Sequence, residues 1–160
     1  MTARDDNDLL RLRLLGRSLA CESIGDLDRD LVLAENSPGK LDLAMVEGAD
    51  NLGQSLAIAV TTPLGGDVFN TEFGFDGLNA LSDATTPLLI RERIRVGLVM
   101  LLRKDPRVAR IVDIKLADRR LDSPEASAAR RLDVRVVFET VTGETLALGA
   151  GPSGARMIDG

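Results

Sequence analysis

Four carboxylates near glycines or helix ends are the side chains of this sequence best placed for acid–base chemistry: Glu72, Asp76, Glu92 and Asp105. A close pair of carboxylates can cleave a glycosidic bond, one acting as acid and the other as base or nucleophile. Glu92, however, has arginines at 91, 93 and 95 beside it, which is typical of a solvated helix face with local ion pairs. The residues therefore favour a structural protein, and we expect no enzyme.

The residue types that are absent point the same way. The 160 residues include 4 Phe but no His, Tyr or Trp. Without His there is no Ser-His-Asp triad, no imidazole base and no histidine-ligated metal. So few aromatic rings also make base-stacking or sugar-stacking surfaces hard to build. We expect no catalytic residues and no cofactor.

Two short patterns resemble a calcium-binding loop and a phosphate-binding loop, but each lacks residues that such a loop needs. Asp26, Asp28 and Asp30 alternate, but they lack the glycine and the closing glutamate of a calcium loop. Gly65-Gly66-Asp67 follows a predicted helix rather than a strand and has no Gly-Lys-Ser/Thr, so it is not a phosphate loop. We expect no metal site, and a turn at the glycine pair.

Charge is distributed unevenly along the chain. The net charge is −5, and residues 1–50 alone carry 6 basic and 11 acidic side chains. The stretch 91–120 is basic, with 10 basic residues against 4 acidic ones, which favours a solvated or protein-docking face over nucleic-acid binding. The lone Cys21 fits a reducing compartment, and neither a signal peptide nor a membrane-inserting run is evident. We expect a cytoplasmic location.

Two segments have the pattern of amphipathic helices. In the first, Asp50 or Asn51 is the expected cap, Pro63 closes the helix, and the buried stripe is Leu52, Leu56, Ala59 and Val60. In the second, Thr86 is the expected cap, Pro87 takes the first position, the helix ends near Lys104, and the stripe is Ile90, Ile94, Leu98, Leu101 and Leu102. Between them, residues 61–82 hold 4 glycines and 3 Phe, which predicts an ordered loop with buried aromatic anchors.

Alternating residues predict the strands. A short hairpin turns at 36–39, and its second strand places Leu41, Leu43 and Met45 on one face. Later strands are expected to turn these side chains inward: Val112, Ile114, Leu116, Leu132, Val134, Val136 and Phe138. Thr142-Gly143 turns the chain into a return strand at 145–148, and the connection 117–130 is expected to be exposed. The fold class is α+β: a largely antiparallel sheet with two amphipathic helices packed on one face and a C-terminal β-hairpin.

The expected organisation is one domain with flexible termini. Residues 1–14 form a disordered or extended arm, 15–148 form a single α+β domain, and 149–160 form a flexible tail. Residues 9–20 fit a strand and a helix about equally well, so the form of the arm stays open.

The order and spacing of several motifs resemble the baseplate wedge and sheath-initiator family of contractile phage tails, related injection systems and type VI secretion. The resemblance covers about residues 15 to 148. It rests on Leu15-Gly16-Arg17-Ser18, Asn51-Leu-Gly-Gln-Ser-Leu56, Thr62-Pro63 with Gly65-Gly66, Glu72-Phe73-Gly74, the Pro87-capped helix, Asp105-Pro106-Arg107-Val108 and the terminal hairpin.

The resemblance implies a structural role at the base of a tail tube. It implies a cytoplasmic, tail-like particle with six copies around the tube and, as partners, the sheath protein, the baseplate wedge proteins and the inner tube or hub proteins. A Glu-Pro-Arg motif that contacts wedge helices carries over to Asp105, Pro106 and Arg107, with Asp one methylene shorter than Glu. Arg107 is expected to offer its planar guanidinium fork to a partner. The family's arginine after Phe-Gly is absent, since Phe75-Asp76-Gly77 stands there.

The family also offers β-strands to the first sheath ring, which agrees with the expectation that the last hairpin lies at a sheet edge. The predicted sheath-pairing residues are Arg131, Asp133, Arg135, Val137, Glu139, Val141, Thr145 and Ala147. The same pattern fits about equally well an edge that does not accept partner strands because the charges of Arg131, Arg135 and Glu139 protect it. A lysozyme-like cell-wall hydrolase using Glu92 or Asp105, and a stand-alone protein-binding adaptor, remain as alternative functions.

Overall fold

The computed structural model describes residues 3–24, 29–78, 86–118, 132–151 and 154–158. The helices within these ranges are α1 (Ala3–Leu15), α2 (Gly48–Thr61) and α3 (Pro87–Lys104). The strands are β1 (Arg17–Leu19), β2 (Cys21–Ser23), β3 (Arg29–Leu31), β4 (Leu33–Ser37), β5 (Lys40–Leu43), β6 (Met45–Glu47), β7 (Val108–Asp118), β8 (Leu132–Thr140), β9 (Thr145–Gly151) and β10 (Gly154–Ile158). The predicted α+β class is confirmed.

The principal sheet is antiparallel and has the strand order β10-β9-β8-β7. One face of it carries the buried side chains of Val136, Phe138 and Leu148, and these join one core with the apolar stripes of α2 and α3. Phe138 and Val136 are completely shielded from solvent. The alternation predicted for β8 therefore placed the inward face correctly, because the strand period of two residues is fixed by the pleat.

Helix α3 follows its sequence signals closely. The hydroxyl oxygen of Thr86 accepts a hydrogen bond from the Leu89 N–H at 3.4 Å, and Pro87 takes the first helical position. The helix ends at Lys104, one residue before Asp105-Pro106, as proline requires of the residue that precedes it. Its buried residues include Ile90, Ile94, Leu98 and Leu102.

Helix α2 buries all four residues of its predicted stripe but begins earlier than predicted. It starts at Gly48, its N-cap is Glu47, and that cap makes no side-chain hydrogen bond. Asn51 is a fully buried residue of the first turn rather than a cap. The prediction of Asp50 or Asn51 as cap was wrong because Asn51 is used for tertiary contacts instead.

Strand β7 departs from simple alternation. Its pairing with β8 shifts register between Ile111 and Asp113, as at a β-bulge. A bulge inserts one extra residue and reverses the side-chain alternation beyond it. Val112, predicted to face inward, is therefore half exposed, and Ile111 packs against the core in its place.

Three two-stranded ribbons meet at one junction in the N-terminal half: β1 with β6, β2 with β3, and β4 with β5. The junction is a closed triangle of backbone hydrogen bonds. The N–H of Ala20 donates to the carbonyl of Ala44 (2.8 Å), that of Ala44 to Val32 (2.8 Å), and that of Val32 to Ala20 (3.0 Å). Each of three extended segments thus leaves one ribbon and enters the next.

The β4–β5 ribbon confirms the predicted turn at 36–39 but buries little. Leu33 pairs with Leu43 and Glu35 pairs with Leu41, so the three leucines share one face of the ribbon. Leu33 and Leu41 are 60% and 67% exposed. The leucine face predicted from the alternation therefore points to solvent.

Both chain ends differ from their predictions. The arm predicted as disordered or extended forms helix α1, which Gly16 ends by adopting a φ of 76° and donating its N–H to the Leu12 carbonyl at 2.9 Å. The predicted flexible tail contains the end of β9 and all of β10. Met157 of β10 packs against Gly53 of α2, where a Cβ would lie 2.2 Å from the Met157 Cγ. The predicted exposed connection 117–130 lies outside the described residues from 119 onward.

Candidate docking surfaces

Asp105 and Arg107 bind each other across the turn between α3 and β7. The guanidinium of Arg107 donates from Nε to Oδ1 of Asp105 (2.9 Å) and from Nη2 to Oδ2 (2.7 Å), and the Arg107 backbone N–H also donates to Oδ1 (3.0 Å). Burial disfavours the ionised carboxylate, but these hydrogen bonds and the charge of Arg107 outweigh it and leave the pKa of Asp105 below its usual value. The pair is a charged, bidentate clasp.

The same guanidinium reaches the end of α1. Nη1 of Arg107 donates to the carbonyl oxygen of Leu15 at 3.2 Å, and Nδ2 of Asn51 donates to that oxygen at 2.8 Å. The carbonyls of a last helical turn have no partner inside the helix, so these donors satisfy an otherwise orphaned acceptor. A cation at this end also matches the helix dipole.

Asn51 and Gln54 extend the network along the chain after α1. The Ser18 hydroxyl donates to Oδ1 of Asn51 (2.6 Å), Nε2 of Gln54 donates to the Leu19 carbonyl (2.8 Å), and the Cys21 N–H donates to Oε1 of Gln54 (2.7 Å). Three motifs that the sequence shows only as separate stretches therefore converge on one point: 15–18, 51–54 and 105–107. Sequence reasoning did not find this network, and a polar residue adjoining an apolar stripe was its only signal.

This geometry changes the expectation for Arg107. Its guanidinium fork, predicted to be offered to a partner, is occupied by Asp105 and Leu15 of its own chain. Asp105 and Arg107 are half-buried, whereas Pro106 between them is exposed. Asp105 and Arg107 thus fix the conformation of this turn, and Pro106 is the residue of the motif that is exposed to solvent.

A cleft of about 330 Å³ opens beside this motif, between α2, α3 and the glycine-rich loop, which follows α2 and is described from residue 62 to 78. Its apolar lining includes Leu56, Ala59, Phe73 and Leu101, and its polar lining includes Ser55, Asn70, Glu72, Lys104, Asp105 and Arg107. We call this surface the motif cleft. A partly apolar cleft with a few polar groups is the usual form of a binding site.

In its described part, residues 62–78, the glycine-rich loop has a fixed, hydrogen-bonded conformation, as predicted. The N–H of Phe75 donates to the Thr62 carbonyl at 2.8 Å, which closes the loop at its base. Gly74 has a φ of +111°, and a Cβ there would lie 2.6 Å from the Pro63 oxygen. The prediction of buried aromatic anchors holds for Phe75, which is buried in the core, and fails for Phe69, which is 98% exposed.

The predicted sheath-pairing residues lie on inner strands, so the expectation that they form a sheet edge was wrong. Asp133, Arg135, Val137 and Glu139 belong to β8, which pairs with β7 on one side and with β9 on the other. Ala147 of β9 pairs with Val137 and with Ile158 of β10, and Thr145 pairs with Glu139. The backbone N–H of Val141 is bound to the Arg107 carbonyl, and Arg131 lies outside the described residues. In the described part of the chain, the two outermost strands of this sheet are β7 and β10.

Each of the two outer strands accepts a hydrogen bond from an arginine elsewhere in the chain. Beside β10, the guanidinium of Arg29 in β3 donates to the Ala155 carbonyl at 2.6 Å, and a cleft separates β10 from the β2–β3 ribbon. Beside β7, Nη1 of Arg95 in α3 donates to the Ile114 carbonyl at 3.2 Å. Among the described strands, none pairs with the outer side of either one.

Glu92 and Asp105, two of the four carboxylates considered for acid–base chemistry, lie too far apart to act as a catalytic pair. These residues are 13 positions apart along α3 and its cap, which is roughly 20 Å at the helical rise of 1.5 Å per residue. A glycosidase needs its two carboxyls within about 10 Å. Glu92 is bound to Arg95 at 3.4 Å, and the lowered pKa of Asp105 is the opposite of what a general acid needs.

The part of the chain that the structure describes contains no cluster of three or more metal-ligating side chains. In that same part, no helix combines the length and the apolar character that crossing a bilayer takes.

No protein-family model matches the chain, and no curated protein matches it. The chain is similar to a crystal structure from Geobacter sulfurreducens described as a "putative tail lysozyme", with 18% sequence identity and a TM-score of 0.47, over 73% of this chain and 98% of that chain. A likeness at this level does not extend that protein's activity to this chain.

Proposed function

We propose that the protein is a structural baseplate component of a contractile tail or injection system, which docks on wedge proteins and starts sheath assembly by strand addition. The order of motifs along the sequence supports this family. The observation that carries the proposal in the structure is the outer edge of β7, a strand of 11 residues with a strand partner on one side only among the described residues.

Strand addition uses backbone groups rather than particular side chains. An edge strand presents unpaired N–H and C=O groups, and an extended segment of another chain can pair with them. The same pairing can then be repeated from one subunit to the next. Each backbone hydrogen bond contributes only about 1 kcal/mol net, so several bonds and several copies around a ring are needed for a stable sheath start.

The edge of β7 is protected against unspecific pairing. Arg110 and Lys115 are exposed cations on the strand, and its pairing with β8 shifts register at two places. Charged side chains and bulges are the usual devices that keep edge strands from aggregating. The β7 edge is therefore selective, and a partner strand has to match both its bulges and its charges.

The motif cleft is the proposed docking surface for the wedge proteins. Asp105 and Arg107 hold the turn that forms one wall, the glycine-rich loop forms another, and exposed Pro106 lies at the rim. The charged pair would thus act on the partner through the shape of the cleft. The proposal includes no cofactor and no catalytic residue, six copies around the tube, contact with inner tube or hub proteins, and a cytoplasmic tail-like particle.

Amide hydrogen exchange tests the strand-addition proposal without altering the sequence. Purified protein is compared alone and after mixing with a purified sheath protein of a contractile tail. We expect outward-facing amides of β7 to gain protection of at least about tenfold on assembly, because a new backbone partner removes them from water. Amides of β8 and β9 are paired in the free protein, so they serve as the internal control.

Three results would contradict the proposal. Protection gained along β10 instead would move the pairing to the other edge of the sheet. Sheaths that form equally well on baseplates lacking this chain would remove the initiating role. Turnover of purified peptidoglycan that is lost in the Glu92→Gln variant would favour the hydrolase.

A further inference from the structure

Helix α1 has two leucines on the side that faces away from the rest of the fold. At its C-terminal end Leu15 is completely buried, and Nη2 of Arg11 lies 3.1 Å from Oε1 of Glu144. These contacts fix which side of the helix lies against the fold, since successive side chains are turned by about 100°. Leu9 and Leu10 lie on the other side, and each of them is 52% exposed. This apolar side of α1 therefore lacks the burial that stabilises an amphipathic helix.

Four side chains on that side form a shallow groove of about 280 Å³: Asp6, Leu9, Leu10 and Arg13. We call these four residues the α1 face. Their positions i, i+3, i+4 and i+7 follow one side of a helix, and this spacing is the one by which two helices pack together. Among the residues that the structure describes, none from outside α1 lines the groove. The α1 face thus has the form of one half of a helix pair.

The charges at the two ends of the α1 face are opposite in sign and are not used inside the described chain. The described ion pairs of α1 are those of Arg11, with Asp8 at 3.9 Å and with Glu144. Asp6 and Arg13 form no ion pair with any described residue. The α1 face therefore carries one carboxylate before its leucines and one guanidinium after them.

This order makes the α1 face complementary to itself. Asp6 precedes Leu9 by three positions, and Arg13 follows Leu10 by three positions. If two copies of α1 lie antiparallel and cross between positions 9 and 10, each Asp6 lies beside the Arg13 of the other copy. Each Leu9 then lies beside the Leu10 of the other copy. Such self-complementarity is what a two-fold interface requires. In a parallel pair like charges would meet at both ends, so the charges favour the antiparallel arrangement.

We propose that two copies of this protein associate through an antiparallel pair of α1 helices, with Leu9 and Leu10 at the centre of the contact. A lipid surface suits the α1 face less well, because interfacial helices are rich in Lys and Arg and this face carries one charge of each sign. A contact of two leucines from each copy is smaller than a stable interface, so we expect a Kd between about 1 µM and 1 mM. The inference does not rest on the proposed function, since the α1 face shares no residue with the motif cleft or with β7.

Sedimentation equilibrium of the full-length protein between about 10 µM and 1 mM tests the pair. Asp6→Arg should weaken the Kd at least about tenfold, because like charges then meet at both ends of the pair, and Arg13→Asp should do the same. An equimolar mixture of the two variants should associate again, because each charge of one variant then meets an opposite charge of the other. Glu22→Arg makes the same change of net charge at an exposed site on β2 and should stay within about twofold of the wild type.

Leu10→Ala tests the apolar part of the contact without changing a charge. It should weaken the Kd about tenfold, because every pair loses two leucine side chains. Leu41→Ala, which removes an exposed leucine from the β4–β5 ribbon, should stay within about twofold. Far-ultraviolet circular dichroism at low concentration checks that α1 still forms in each variant. Since alanine favours helix, Leu10→Ala decides the matter if a charge variant loses helical signal.

Four results would overturn the inference. One is a mass that stays that of a single chain up to about 1 mM. Another is an association that Asp6→Arg and Leu10→Ala leave unchanged, since a different surface would then join the copies. A third is a mixture of the two charge variants that stays monomeric while both retain their helical signal. The last is binding to phosphatidylglycerol vesicles that Leu10→Ala abolishes, with no association of copies, which would assign the α1 face to a lipid surface.

Discussion

The guanidinium of Arg107 lies 3.2 Å from the carbonyl oxygen of Leu15, although 92 positions of the chain separate the two residues. The same guanidinium donates a hydrogen bond to the carboxylate of Asp105 at the C-terminal end of α3. One side chain therefore joins the end of the first helix to the turn that starts the principal sheet. This contact gives the charged motif a definite structural role beside its proposed part in docking.

Replacing Arg107 should destabilise the fold. Arg107→Ala removes a bidentate ion pair and leaves the mostly buried carboxylate of Asp105 without its partner. Hydrogen bonds to charged groups contribute about 1.5–3 kcal/mol, so we expect a loss of that order in the free energy of unfolding by urea denaturation. Arg107→Lys should recover only part of it, because an ammonium cannot form the planar fork. Arg103→Ala, at an exposed cation nearby, should stay within about 0.5 kcal/mol. Equal losses for Arg107 and Arg103 would refute the structural role of the clasp.

Stability should fall in acid in a way that depends on Asp105. Its pKa is lowered in the folded protein from the ordinary value of 3.8, so the folded state favours the ionised form more than the unfolded state does. That contribution is fully present above the unfolded pKa and is lost as the pH falls through the lower folded pKa. Urea denaturation from pH 6 down to about pH 3 should therefore show the advantage of wild type over Asp105→Asn shrinking at the acid end. An advantage that stays constant over this range would contradict the lowered pKa.

Gly74 should tolerate no side chain. In Gly74→Ala the new Cβ would lie 2.6 Å and 2.7 Å from the carbonyl oxygens of Pro63 and Thr62, at a φ of +111°. Gly143 is the matched control, since its φ is +82° but a Cβ there meets nothing within 4 Å. Gly143→Ala should cost about 1–2 kcal/mol from the backbone conformation alone. Gly74→Ala should cost clearly more or prevent folding, as judged by circular dichroism and urea denaturation. Similar losses at both positions would show that the loop can move away from the added methyl group.

Asn51 should contribute more to stability than Ser55, the polar residue one turn later on α2. Asn51→Ala removes the nearer acceptor of the Ser18 hydroxyl and one of the two donors to the Leu15 carbonyl, so we expect a loss of about 1–3 kcal/mol in urea denaturation. Ser55→Ala is the control, because that hydroxyl only bonds back to the Asn51 carbonyl of its own helix. It should be neutral or slightly stabilising, since alanine is the better helix former. A neutral Asn51→Ala would show that water replaces the amide in this network.

The elements that the sequence predicted well are those whose signals are local. Helix α3 has its hydroxyl cap, its proline and its apolar stripe within one run of residues, and strand β8 shows its inward face by simple alternation. Such signals act between neighbours along the chain and do not need the rest of the fold. The form of residues 9–20 stayed open because their leucines fit both periods, and the helix that forms there ends at Leu15, which makes long-range contacts.

Local patterns along the chain are enough to predict the α+β class, the core stripes of two helices and the turns of the hairpins, and the composition alone excludes histidine chemistry. Which strands lie at the edge depends on long-range pairing: β7 covers one side of β8, and β10, formed by the tail, covers the open side of β9. Only the tertiary structure decided this, and it also decided that Arg107 binds within its own chain and that Phe69 faces water while Phe75 does not. These are contacts and exposures set by residues distant in sequence, which no local pattern encodes.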